Sequence, residues 1–60
     1  MEQLKNIREG LGLSMDDMAA RLNFSTSLYE KIEYGYRKPS RNFIEKLKLA
    51  FPYIDTNIFF

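Results

Sequence analysis

Between Ser14 and Glu33, two short apolar-faced segments are separated by only three residues, Asn23-Phe24-Ser25. Helices this short do not persist alone in water, so each must be held by packing on the other. Ser14 is a good N-cap, and Asp17 three residues on makes an approximate capping box, with Asp in place of the usual Glu or Gln. Met15, Met18, Ala19 and Leu22 then recur on one helical face. Asn23 tolerates the left-handed conformation that ends a helix. Ser25 caps the second segment, whose apolar side is Leu28, Tyr29 and Ile32, and Gly35 is placed to stop it. Ala19 suits a steep helix crossing, which needs a small residue at closest approach. The spacing predicts two helices joined by a minimal turn over residues 14–34.

The flanks read as helices too. Leu4, Ile7 and Leu11 recur at helical spacing, which predicts a first helix from near residue 2 to Gly10, ended by Gly10 and Gly12. Residues 35–39, Gly-Tyr-Arg-Lys-Pro, form a basic loop. Ser40 follows as an N-cap for a helix running to about Phe51, with Phe43, Ile44, Leu47 and Phe51 inward and Pro52 as the stop. Asp55 is placed to cap a final turn over 56–60. The expected fold is all-α, a compact bundle of five short helices in one domain, residues 1–60.

Composition narrows the function classes. A chain of 60 residues buries only ~60% of the surface it exposes when unfolded, so each large apolar residue counts. There is no cysteine and no histidine. That removes disulfides, thiolate metal sites, the commonest metal ligand and the usual general base. The expectation is therefore no enzyme, no cofactor and no metal. No apolar run approaches the ~20 residues of a membrane span, and Met1-Glu2-Gln3-Leu4-Lys5 lacks a signal-peptide pattern. A cytoplasmic, nucleoid-associated protein with no membrane and no small-molecule ligand is expected. No sensor domain is expected within these sixty residues. The net charge is only +1, but it is unevenly spread. Residues 1–30 carry three bases and five acids, net −2, whereas 31–48 carry six bases and two acids, net +4. The last twelve residues carry only Asp55. Positive charge is thus concentrated in the middle of the chain.

The residues at fixed spacing now make a recognisable set. Leu4, Lys5, Arg8, Glu9, Gly12-Leu13-Ser14, Met18-Ala19, Leu22, Ser25, Ile32-Glu33, Gly35, Arg37 and Pro39-Ser40 resemble the phage repressor and Cro family of helix-turn-helix proteins. They follow its pattern without a gap over residues 4–40. The stretch from Ser27 to Ser40 and the ending Phe51-Pro52, Asp55, Asn57, Phe59-Phe60 are similar to small repressor-like proteins of Gram-positive bacteria and their phages. The resemblance implies a lambda-repressor-like DNA-binding domain, in which one helix crosses the phosphate backbone and the next enters the major groove. It also implies a structural ion pair between Arg8 and Glu33, the alternative being two solvated charges.

The same resemblance puts Thr26, Ser27, Glu30 and Lys31 on the exposed side of the second helix, with Thr26, Ser27 and Lys31 nearest base edges. Lys31 can favour guanine, Glu30 can accept from cytosine or repel phosphate, and the hydroxyls read permissively. Alternatively, Thr26 and Ser27 serve only as first-turn helix residues. Phosphate contacts are expected from the amino ends of the helices beginning near Met15 and Arg41, and from Ser25, Arg37, Lys38, Ser40 and Arg41. The bland alternative for this loop is solubility alone. Met15 departs from the family, which usually has Gln there. It either packs on a sugar or thymine methyl, or turns inward.

Phe51, Tyr53, Ile54, Ile58, Phe59 and Phe60 crowd the tail. An exposed apolar remainder would mark a partner surface, so Tyr53, Ile54, Ile58, Phe59 and Phe60 are candidates for a homodimer interface. The alternative is that they only close the monomer core. A two-fold dimer would set two reading helices ~34 Å apart on double-stranded DNA, matching a palindromic operator. The expected function is a sequence-specific transcriptional regulator, Cro-like or repressor-like, acting by operator occupancy. The alternative is an interaction module of the same fold, an antitoxin-like or anti-regulator partner that reads DNA weakly.

Overall fold

Three serines start three of the four helices. In the computed structural model, which describes residues 2–55 and Asn57, the order is α1 (Glu2–Gly10), α2 (Met15–Leu22), α3 (Thr26–Glu33) and α4 (Arg41–Ala50). The Oγ atoms of Ser14, Ser25 and Ser40 accept from the backbone N–H groups of Asp17, Leu28 and Phe43 at 3.1, 3.2 and 3.1 Å. Each satisfies a donor that a helix start otherwise leaves without a partner. At Ser14 the box is reciprocal, because the Asp17 carboxylate accepts from the Ser14 N–H.

The turn between α2 and α3 is closed by backbone alone. Asn23 sits at φ 60°, ψ 41°. Its N–H reaches the Ala20 carbonyl at 3.1 Å, and the Phe24 N–H reaches that of Ala19 at 3.0 Å. These bonds satisfy the last carbonyls of α2 and reverse the chain within three residues. Gly35, at φ +86°, does the same for α3, whose Lys31 carbonyl accepts from Tyr36 at 2.9 Å and Arg37 at 3.2 Å. The serine caps at the starts of α2, α3 and α4 and the left-handed residues after α2 and α3 are those expected from the sequence.

All four helices contribute to one core. Leu4 of α1, Met18, Ala19 and Leu22 of α2, Tyr29 and Ile32 of α3, and Phe43, Leu47 and Phe51 at α4 form a single buried cluster. Ala19, 1% exposed, lies in it between larger side chains. Phe43 is central: its ring lies 5.4 Å from that of Phe24 and 6.2 Å from that of Tyr29. Burial defines the inner face of α4. Phe43, Ile44 and Leu47 point inward, while Lys48, Leu49 and Ala50 are exposed.

The described residues hold four helices, not five. α4 ends at Ala50, with Phe51 as its C-cap. The expected fifth turn falls mostly on Thr56, Ile58, Phe59 and Phe60, which lie outside the described residues. Next to them, the Asp55 carboxylate accepts from the Asn57 N–H at 3.0 Å. Ile54 packs against the core rather than standing free. Among the described residues no helix is long and apolar enough to cross a membrane.

Candidate nucleic-acid interface

The buried side of α3 fixes its orientation. Glu33, only 4% exposed, takes a two-pronged grip from Arg8: Nε at 3.0 Å to Oε2 and Nη2 at 2.9 Å to Oε1. Arg8 Nη1 also donates to the Leu13 carbonyl at 2.9 Å. One guanidinium therefore ties α1, the loop before α2 and the end of α3 together. Burial pushes the Glu33 carboxyl up, but the hydrogen bonds and charge of Arg8, with help from Tyr29 and Lys5, hold it below its ordinary value. Burial pushes the Tyr29 hydroxyl up, and the adjacent Glu33 carboxylate adds to this. The pair is a structural anchor, not a reactive centre.

The opposite side of α3 is open. Ser27 and Lys31 are exposed, and Glu30 and Thr26 are half-buried. Thr26 is not free to donate to a base: its hydroxyl donates to Asp16 Oδ1 on α2 at 2.7 Å. The helix-starting serines Ser25 and Ser40 use their oxygens as caps, which leaves their hydroxyl protons available to an anion. Arg37 and Lys38 are exposed in the loop that follows. Arg41 is 92% exposed and makes a 3.4 Å contact with Glu45 one turn on. An exposed pair of that kind is weak, so Arg41 can turn to a phosphate at little cost.

Met15 turns inward. It packs against the core, and the Tyr34 hydroxyl donates to its sulfur at 3.7 Å. Its side chain is half-buried, while its backbone N–H remains at the start of α2.

Sequence reasoning missed Tyr34 and Tyr36. They are 58% and 83% exposed, and their rings meet edge to face at 6.2 Å, beside Arg37 and Lys38. The signal was present as aromatics interleaved with bases around Gly35. It also missed Lys46, whose ammonium lies 4.7 Å from the centre of the Phe24 ring. That contact removes Lys46 from the pool of free cations. At and after the end of α4, Leu49 and Tyr53 are 83% and 72% exposed, and Tyr53 stands edge-on to Phe51 at 6.3 Å. Of the tail residues expected in a dimer interface, Tyr53 is exposed, Ile54 is half-buried, and Ile58, Phe59 and Phe60 lie outside the described residues.

Two short helices, a three-residue turn and an open face on the second helix are the geometry of one motif. The family described as helix-turn-helix domain matches residues 1–53. The chain belongs to that family. The match spans all four helices and the basic loop, so the whole described core is this helix-turn-helix domain. Comparisons with curated proteins and with solved structures give no match. Membership points to DNA binding and a regulatory role in general. Among the described residues no group of acidic side chains is arranged to hold a metal ion.

Proposed function

We propose that the chain is a sequence-specific transcriptional regulator of the Cro or repressor kind, acting by occupying an operator as a homodimer. The observation that carries this reading is the exposed side of α3, with the Ser27 and Lys31 side chains free, on a helix locked from behind by Arg8 and Glu33. Arg37, Lys38 and Arg41 follow α3 in the chain as cations that no buried partner holds. Phosphate contacts there would supply most of the affinity. Leu49 and Tyr53 are suited to a contact between two copies, since a lone 60-residue domain makes few contacts with DNA.

The test is a titration onto the DNA just upstream of the protein's own gene at two salt concentrations. Lys31→Ala and Arg41→Ala are run beside the parent. With about four phosphates neutralised, log K should fall with log salt at a slope near −3.6. Lys31→Ala should relax base preference, whereas Arg41→Ala should weaken all sites alike and flatten the slope by about 1. Binding that ignores salt, or no binding to any of this DNA, would favour the second reading. In that reading the exposed Leu49 and Tyr53 dock a different protein and the domain is an antitoxin-like or anti-regulator partner.

A further inference from the structure

The polar side chains at the starts of α2 and α3 divide into those the fold uses and one pair it does not. Ser14, Asp17 and Ser25 are engaged in capping. Asp16 and Thr26 cap nothing. They are bonded to each other, Thr26 Oγ1 to Asp16 Oδ1 at 2.7 Å, across the gap between α2 and α3. Asp16 is exposed and Thr26 half-buried, so the bond lies at the surface, where a hydroxyl–carboxylate contact competes with water and adds little stability. Its effect is to hold a carboxylate still at the amino end of the helix whose first residues meet base edges.

Resting on the DNA-binding reading above, we propose that Asp16, held in place by Thr26, is a specificity-determining residue that accepts a hydrogen bond from the exocyclic amino group of a cytosine in the major groove. An ionised carboxylate only accepts. Because the Thr26 proton is already committed to Asp16, the pair as a whole presents acceptors and no donor. Cytosine shows an amino donor in the groove with no acceptor beside it. Adenine sets N7 beside its amino group, guanine shows N7 and O6, and thymine shows O4. An acceptor-only pair is therefore satisfied by cytosine and opposed by guanine. A carboxylate here also disfavours seating this corner on a phosphate, which directs it to the groove. Lys31, on the exposed side of α3, has the reverse chemistry, three donors and no acceptor. The two residues give the face an opposed pair of preferences, cytosine at one end and guanine at the other. Asp16, from α2, adds discrimination that α3, with no Arg, Gln or Asn, lacks.

The experiment is selection from a pool of randomised duplexes with the parent protein, Asp16→Asn, Asp16→Ala and Thr26→Val, each first shown by circular dichroism to fold. The parent should enrich cytosine over guanine at one position of the site by roughly tenfold or more. Asp16→Asn should move that position to adenine, because an amide pairs with both N6 and N7. Asp16→Ala should flatten that position alone and leave the others as they were. Thr26→Val keeps the shape but loses the tether, and should flatten it in part. If Asp16→Ala enriches the same sequences as the parent, the proposal is overturned while DNA binding stands. The same holds if it gains affinity for every duplex alike, since the carboxylate then only repels phosphate. If the parent enriches no sequence, the DNA-binding reading fails and this proposal fails with it.

Discussion

α3 carries two faces whose residues are committed to different degrees. On the inner face, Tyr29, Ile32 and Glu33 are buried, and Glu33 meets Arg8 through paired bonds. On the outer face, Ser27 and Lys31 have no cap, pair or packing duty, and Thr26 is held only by an exposed bond to Asp16. The difference follows from what each face meets. A buried carboxylate without its cation is costly, so the inner face admits one arrangement. The outer face meets water, so it can be written in whatever chemistry its ligand demands. A helix of eight residues can then be rigid and still adjustable in what it reads.

The comparison breaks most severely in the core. Phe43→Ala, which empties the space between Phe24 and Tyr29, should cost ~3–5 kcal/mol. A core of this size supplies only ~3–5 kcal/mol in all, so the variant should show no cooperative thermal transition by circular dichroism. Arg8→Ala should follow at about 3 kcal/mol, the cost of leaving the buried carboxylate without its cation. The pH dependence gives this its signature. Because the folded Glu33 titrates below its ordinary 4.5, the parent keeps the full contribution of the pair above about pH 4.5 and loses it as pH falls through the lower folded value. In Arg8→Ala burial raises the carboxyl against only the Tyr29 hydrogen bond and the Lys5 charge, so the loss of stability below pH 4.5 should shrink, and stabilisation by acid, where burial wins, should lie above pH 4.5. Denaturant titrations at several pH values would show the two slopes.

A smaller effect sharpens the boundary between the faces. Ser25→Ala removes the cap on Leu28 and should cost about 1 kcal/mol, read as a modest fall in melting temperature. The smallest effect on folding belongs to the outer surface. Replacing Arg37, Lys38 and Arg41 together by Ala should change stability by less than ~0.5 kcal/mol. The same variant should flatten the salt dependence of DNA binding by about 2.7. A large loss of stability there would show that the basic loop serves the fold, and the distinction between the faces would fall.

Much of the scaffold was legible because it rests on local chemistry. Ser14, Ser25, Ser40, Asn23 and Gly35 act within a few residues of themselves, so their positions in the chain determine the ends of α2 and α3 and the start of α4. The apolar periodicity likewise identified the residues of the core cluster. The candidate site was only partly legible. Lys31 could be placed on the exposed side of its helix by the family resemblance, and Arg37 and Arg41 by the run of positive charge around Pro39; all three are exposed. Met15 could not be placed, because its packing against the core and its contact with Tyr34, nineteen residues away, are set by the assembled helices. Lys46 looked like one more base, yet the ring of Phe24 claims it.

The opening feature, two short segments around Asn23-Phe24-Ser25, therefore divides in its causes. Where the helices start, where they stop and which stripe of each is apolar follow from the order of residues alone, since caps, left-handed turns and helical repeat are short-range effects. Which polar atoms meet across the helices is a matter of packing. Arg8 reaches Glu33, a pair the family resemblance implies, and Asp16 reaches Thr26, a contact no local signal announces, because those encounters depend on the angle at which α1, α2 and α3 pack, and that angle is a property of the assembled core.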